Sequence, residues 1–120
     1  MANPNIVNVS SILGKTDTFA LTTTLTALVT CTTDKVYKVN TIIASNIDGT
    51  NAQNITITVR TDAATDKAIA STVSVPADAT LVVSDKNSSF YLEEGDILKG
   101  QAGSNSDIEL LVSYEILDDA

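Results

Sequence analysis

The amino-acid sequence predicts an all-β fold, a single antiparallel β-sandwich of roughly seven to nine strands. Three observations support this fold class. Short apolar segments alternate with polar residues at the period of a β-strand, they are rich in Val, Ile and Thr, and turn signals separate them at regular intervals. No segment has the pattern of a long helix. The strand order stays open between a jelly roll and an immunoglobulin-like arrangement.

The clearest strand lies near the C-terminus, within a stretch (residues 91–117) around which we expect the rest of the chain to be organised. Alternate positions place a set of apolar and aromatic side chains on one face: Ile108, Leu110, Val112, Tyr114 and Ile116. The opposite face is mostly polar and carries Glu109, Leu111, Ser113 and Glu115. Since side chains in a strand point to alternate faces, the apolar face needs a second layer to cover it.

The N-terminal part of the chain predicts three strands before the first clear loop. Pro4 and its polar neighbours indicate an arm that leads into a short first strand ending before Gly14. Residues 18–33 are rich in Thr, and although their apolar spacing is partly helical, the β-branched content favours a strand. Residues 35–47 predict a third strand, bent or bulged where its alternation slips. A loop follows, with Asp48-Gly49 as its turn signal.

The second half predicts shorter strands separated by polar turns. Residues 54–60 form a two-faced strand with three inward residues, Ile55, Ile57 and Val59. After a loop at 61–67, the next strand ends at Pro76, which cannot donate to a ladder. One face of that strand carries Ile69, Ser71, Val73 and Val75. The remaining elements are short strands at 80–83 and 90–92, a polar turn at 85–89, a tight turn at 93–96 and a small-residue loop at 100–107.

Composition excludes several classes of function. The chain has 120 residues, enough for one domain with a real core, and a net charge of −8. This charge argues against nucleic-acid binding, which needs clustered Lys and Arg, and it disfavours anionic membranes. The N-terminus lacks the pattern of a secretory signal, and no apolar run is long enough to cross a membrane. We therefore expect the protein to stay in a cytoplasm until it joins an assembly.

No catalytic, cofactor-binding or metal-binding residue is predicted, and we do not expect an enzyme. The chain has no His, so Ser-His and Cys-His pairs cannot form and too few ligands remain for zinc. Cys31 is expected to be a small half-buried strand residue. Glu93, Glu94 and Asp96 could act as a glycosidase acid and base or as Ca²⁺ ligands, but a solvated turn is the favoured interpretation. Whether this turn binds a cation stays open.

The remaining candidates are surfaces. Few Lys residues and only two prolines, Pro4 and Pro76, protect the strand edges, so an edge or the N-terminal arm could pair with a neighbouring chain. Outward Thr residues could pack against another subunit or simply favour strands, and both readings stay open for Thr22, Thr23, Thr24, Thr26, Thr56 and Thr58. The aromatic residues are too dispersed for a sugar-binding platform: Tyr37, Phe90, Tyr91 and Tyr114.

Several motifs occur in an order that resembles small virion proteins of tailed bacteriophages. They are LTTTLTALVTC, KVYKVNTIIASN, NITITV, VSVPADATLVVSDKNSSFYLEEGDIL and IELLVSYEIL. The resemblance extends over residues 18–117 and implies a non-enzymatic β-sandwich located on the virion. Its implied role is capsid decoration, as a cement protein that stabilises the shell. The alternative is a tail- or fibre-associated module that recognises a host glycan.

The same resemblance implies the partners and the division of the chain. The partners are other virion subunits, with the major capsid protein favoured over tail proteins, and a homo-oligomer is possible. Residues 1–17 lie outside the resemblance and are interpreted as an N-terminal arm or first strand, whereas residues 18–120 form the β-sandwich domain. Whether the arm is exchanged between subunits stays open.

Overall fold

The computed structural model describes residues 10–61 and 64–118, which are almost entirely β-structure. These described residues form nine strands, as many as the sequence allowed: β1 (Ser11–Ala20), β2 (Thr26–Thr30), β3 (Lys35–Asn46), β4 (Gln53–Arg60), β5 (Lys67–Val75), β6 (Thr80–Ser84), β7 (Phe90–Leu92), β8 (Ile97–Ala102) and β9 (Ile108–Asp118). A one-turn 3-10 helix, Lys86–Ser88, lies between β6 and β7. No helix in the described part of the chain is long and apolar enough to cross a membrane. The arm expected through Pro4 lies outside the described residues.

The strands form two antiparallel sheets packed together, which confirms the predicted sandwich. The long sheet has the strand order β1-β9-β3-β6, and β7 also pairs with β3. The short sheet has the order β2-β8-β4-β5. When β6 and β7 are counted as one interrupted strand, each sheet has four positions in the order of a jelly roll, not of an immunoglobulin domain.

β9 lies at the centre of the long sheet, between β1 and β3. The face predicted to be apolar points into the core: Ile108, Leu110, Val112 and Tyr114 are buried and Ile116 is half-buried. Glu109 on the other face is exposed. The core that covers this strand consists of Val, Ile, Leu and Ala with two tyrosines and Cys31, in keeping with the low aromatic content. β9 pairs with a strand on each side and buries one face in the core, which is consistent with the prediction that the chain is organised around it.

The single strand predicted at residues 18–33 is wrong. β1 continues through Gly14 to Ala20, the chain crosses from the long to the short sheet over residues 21–25, and only then does β2 begin. Leu21 is buried at the start of this crossing, where its N–H donates to the carbonyl of Ile108 at 2.9 Å. That position explains the helix-like apolar spacing. Residues 11–17 belong to β1, so the boundary drawn between residues 17 and 18 falls inside a strand.

The face predicted for β5 is only half right. Val75 is buried and Val73 is half-buried, but Ile69 is 46% exposed. The pairing of β4 with β5 shifts register between Ile55 and Ile57, beside Thr72 with a φ of 56°. One extra residue in a strand exchanges its two faces from that point on.

The loop predicted at residues 100–107 begins too early, because Gly100 to Ala102 belong to β8. Gly100 is a glycine for reasons of space. A Cβ built on it would lie 2.9 Å from Leu28 Cδ1 and 3.2 Å from Ile57 Cδ1. A Cβ at this point would require the terminal methyl group of Leu28 to move and would press on Ile57, so a residue type that often indicates a loop belongs here to a closely packed strand.

β3 contains the predicted bulge, since its pairing with β9 shifts register between Val39 and Thr41. It ends at the buried Asn46, whose Nδ2 donates to the carbonyl of Val75 at 2.9 Å. The same side chain accepts the N–H of Asp48 through Oδ1 at 2.9 Å. Asn46 therefore ties the end of β3 to the end of β5.

The loop after β3 turns as the Asp48-Gly49 signal predicted, but through the aspartate alone. Gly49 does not adopt a positive φ, whereas Asp48 Oδ1 accepts the N–H groups of Thr50 at 2.8 Å and Asn51 at 3.2 Å. These backbone hydrogen bonds lower the pKa of Asp48 below its ordinary value. The turn is thus of the Asx type, held by a side chain and not by a glycine conformation.

Candidate interaction surface

The carboxylate turn between β7 and β8 is structural. Gly95 has a φ of 85°, and the N–H of Asp96 donates to the carbonyl of Glu93 at 2.9 Å. Asp96 Oδ2 in turn accepts the N–H of Glu93 at 2.9 Å. Glu93 is exposed as predicted, but Asp96 is buried, so the solvated-turn interpretation is wrong for that residue. Within residues 10–61 and 64–118, no group of three or more His, Cys, Asp or Glu residues could hold a metal ion.

Cys31 follows β2 and is fully buried against this turn. Its N–H donates to the carbonyl of Asp96 at 3.0 Å, and its carbonyl accepts the N–H of Gly95 at 3.0 Å. The thiol donates to the carbonyl of Lys35 at 3.1 Å. Burial raises the pKa of the Cys31 thiol to about 11, so little thiolate exists near neutral pH. The backbone of Cys31 therefore holds the turn in place, and its buried thiol is not placed to react.

The tyrosines of the core pack against each other. The rings of Tyr37 and Tyr114 stack with centroids 5.3 Å apart, and both residues are buried. The Tyr114 hydroxyl donates to Asp17 Oδ2 at 2.6 Å. Burial, and then this hydrogen bond, raise the pKa of Tyr114 well above its ordinary value. Phe90 is half-buried and only Tyr91 of the four aromatic candidates is exposed, at 47%, so they do not form a platform.

The threonine candidates do not share one face. Thr22, Thr23 and Thr24 lie in the crossing before β2, where the N–H of Thr24 donates to Thr22 Oγ1 at 3.3 Å. Thr56 is half-buried and accepts the N–H of Thr72 at 3.2 Å. Thr58 is buried. Thr22, Thr23, Thr24 and Thr26 are exposed, whereas Thr56 and Thr58 are not, so the six residues do not form one flat surface.

Three of the four sheet edges in the described part of the chain are interrupted. β2 has five residues and a register shift between Ala27 and Val29. β5 is bulged, and its bulge includes the positive φ of Thr72. β6 and β7 share one side of β3 and are separated by the 3-10 helix. Short, bulged and broken edges are the devices by which β-proteins prevent pairing with other chains.

The fourth edge, β1, is continuous. Its ten residues pair with β9 without a register shift, from Ser11 opposite Asp118 to Ala20 opposite Glu109. The N–H of Leu21 donates to the carbonyl of Ile108 at 2.9 Å, and therefore the odd-numbered residues of β1 direct their backbone groups toward β9. The even-numbered residues direct theirs away from the sheet: Ile12, Gly14, Thr16, Thr18 and Ala20. No other described strand pairs with that side.

The side chains along β1 are unevenly covered. Residues 11–16 are all exposed, with Ile12 at 60% and Leu13 at 59%, because the short sheet does not cover this half of the strand. In the middle of β1, Lys15 Nζ lies 4.0 Å from Asp17 Oδ1. Leu13 and Asp17 lie on the inner face, opposite the half-buried Ile116 and the buried Val112 of β9, whereas Ile12 faces outward.

Two hollows flank the other end of β1. A cleft of about 340 Å³ opens between the two sheets and is lined by Phe19, Leu21, Leu28 and Gly100 among others. A groove of about 390 Å³ lies on the other side of the strand, lined by residues that include Thr18, Ala20, Glu109 and Leu111. No local sequence pattern indicates this surface, because which strand forms an edge depends on the strand order of the whole sandwich.

Comparison with known proteins supports the fold and not an identity. No family model matches the chain, and no curated protein matches it. Among solved structures, a subunit of the Bacillus endospore appendages, described as a novel family of disulfide-linked pili, has a TM-score of 0.51 and 15% sequence identity. The match covers 98% of this chain and 95% of that one. At this identity the likeness concerns the fold alone.

Proposed function

We propose that this chain is a structural subunit of a bacteriophage virion, in particular a capsid decoration protein that stabilises the shell by binding neighbouring subunits. The continuous edge of β1 carries the proposal. A strand edge with unpaired N–H and C=O groups is a template for another strand, and natural β-proteins usually block such edges. This molecule blocks its other described edges and leaves β1 open.

The mechanism would be burial of surface and backbone pairing across subunit boundaries. A neighbour that pairs with β1 would satisfy its outward backbone groups and cover Ile12 and Leu13. Many copies that bind only the assembled shell would shift its equilibrium toward assembly, without any chemical step. The coarser part of the proposal, a structural protein, is also supported by the solved pilus subunit that shares the fold. The assignment to a phage particle rests on the resemblance of the sequence motifs alone.

The test compares Thr16→Pro with Thr16→Ala in particles. The N–H of Thr16 points away from β9, so proline removes an outward donor without breaking the β1–β9 ladder. Alanine at the same position keeps that N–H and serves as the matched control. We expect Thr16→Pro to reduce the copy number per particle about tenfold, equivalent to about 1.4 kcal/mol of binding, while the melting temperatures of both variants stay close.

Electron microscopy of the particles decides between the two roles. Copies spread over the whole shell support decoration, whereas a few copies at one vertex support a tail location. Binding of the isolated protein to a glycan array would favour the alternative of a host-recognition module. Equal copy numbers for the two Thr16 variants would contradict the proposed use of β1.

A further inference from the structure

We propose that the occupant of the β1 edge is a second copy of the same chain, paired antiparallel about a two-fold axis at Thr16. This inference rests on the proposed function and names the partner at its open edge. The observation behind it is the sequence of β1 itself, SILGKTDTFA, which is complementary to its own reverse in one register. A two-fold interface uses the same surface on both copies, so such self-complementarity is what it requires.

Backbone direction limits the possible registers. Since the outward backbone groups belong to even-numbered residues, two β1 strands can exchange hydrogen bonds only when even residues lie opposite even residues. With Thr16 opposite Thr16 of the second copy, Ile12 lies opposite Ala20 and Gly14 opposite Thr18. This arrangement provides about ten inter-strand hydrogen bonds, two for each hydrogen-bonded pair.

Charge selects this register over its neighbours. With Thr16 on the axis, Lys15 of each copy lies directly opposite Asp17 of the other, and Asp17 is already placed 4.0 Å from its own Lys15. A shift by one pair in one direction would put Lys15 opposite Lys15. The shift in the other direction would put Asp17 opposite Asp17. Like charges directly opposite each other destabilise a pair of strands, so the charges choose the register even though each exposed ion pair adds little affinity.

Apolar side chains and the two hollows match in the same register. Leu13, 59% exposed, lies opposite Phe19 of the second copy and on the inner face, at the mouth of the cleft lined by Phe19, Leu21 and Leu28. Ile12, 60% exposed, lies opposite Ala20 on the outer face, beside the groove that Ala20 lines. Each copy thus offers the exposed half of β1 to the half of the other copy that has the hollows. The paired long sheets become one continuous sheet across both molecules.

Single-cysteine variants test the register directly. Cysteines at Thr16 would face each other across the axis at about 5.5 Å between Cα atoms, within the range of a disulfide. Cysteines at Thr18 would be about 14 Å apart along the strand, because each lies opposite Gly14 of the other copy. We expect Thr16→Cys to form a cross-linked dimer under mild oxidation and Thr18→Cys to remain monomeric on a non-reducing gel. A mixture of Gly14→Cys and Thr18→Cys should cross-link between the two variants. The buried Cys31 stays in all of them as a common background.

Light scattering of the unmodified protein and of Lys15→Glu provides the second measurement. We expect a dimer for the natural chain and at least a tenfold weaker dimer for Lys15→Glu, which puts Glu opposite Asp17. Cross-linking at Thr18 in place of Thr16, or a monomer at all concentrations, overturns the inference. If the inference fails but Thr16→Pro still lowers the copy number in particles, the proposed function stands. If Thr16→Pro leaves the copy number unchanged, the proposed function fails as well.

Discussion

Replacing Gly100 by alanine tests how closely the two sheets approach at the cleft beside β1. The added Cβ would lie 2.9 Å from Leu28 Cδ1, 3.2 Å from Ile57 Cδ1 and 3.3 Å from Leu21 Cδ2. The first distance requires the terminal methyl group of Leu28 to move, and the other two require Ile57 and Leu21 to give way by a few tenths of an ångström. Overpacking of this kind costs about 1–3 kcal/mol. For a chain of this length the melting temperature should fall by about 4–12 °C.

The assay is thermal unfolding followed by circular dichroism, with Gly103→Ala as the matched control. Gly103 is exposed, and the nearest atom to a Cβ there is Gln53 Oε1 at an ordinary 3.5 Å. Gly103→Ala should therefore leave the melting temperature almost unchanged. If Gly100→Ala melts like the natural protein, the argument from close packing is refuted.

A double-mutant cycle locates the collision. Leu28→Ala removes the atom that lies nearest to the new methyl group, so Gly100→Ala should cost less in that background. We expect a coupling of at least about 0.5 kcal/mol between the two positions. Strictly additive costs would mean that the strain arises elsewhere and not at Leu28.

Two further predictions concern titration and reactivity. Burial and the hydrogen bond to Asp17 raise the pKa of Tyr114, so its neutral form stabilises the fold fully below about pH 10 and progressively less as the pH rises above that value. Tyr114→Phe should therefore reduce the loss of unfolding free energy at alkaline pH, measured from urea unfolding curves at a series of pH values. The same loss of unfolding free energy in the variant as in the natural protein would contradict the assignment. Because burial raises the pKa of Cys31 to about 11, its thiol should react with an aromatic disulfide reagent at pH 8 at least about 100-fold more slowly in the native protein than in denaturant; equal rates would show that the thiol is accessible.

The sequence predicted those features that depend on local alternation. The pattern predicts the correct buried face of β9 because Ile108 to Ile116 alternate without interruption. The register shift beside this strand lies in β3, between Val39 and Thr41, so it leaves the alternation of β9 unchanged. The pattern predicts a partly wrong face for β5 because Thr72 adopts a positive φ, which is uncommon for a β-branched residue and leaves no trace in the alternation of the sequence. A bulge of one residue is sufficient to reverse the outcome.

The candidate surface was less predictable because it depends on contacts between distant parts of the chain. Asp96 looks like a turn residue, yet it is buried because its backbone pairs with Cys31 in another strand connection. The weak protection of edges could be inferred from the few Lys and Pro residues, but not which edge remains open. Which edge remains open depends on the strand order, in which β1 lies outside β9, and no local sequence pattern indicates that order.

The uneven treatment of the edges has a consequence for growth. A subunit with one open edge strand can pair with one other strand, and after that pairing its sheets cannot be extended further. Fibres formed by edge-to-edge pairing need two open edge strands on every subunit. Within the described part of this chain, the bulges of β2 and β5 and the break between β6 and β7 leave β1 without a second open edge strand to accompany it. Through its described sheet edges, such a molecule can therefore form a pair but not a fibre.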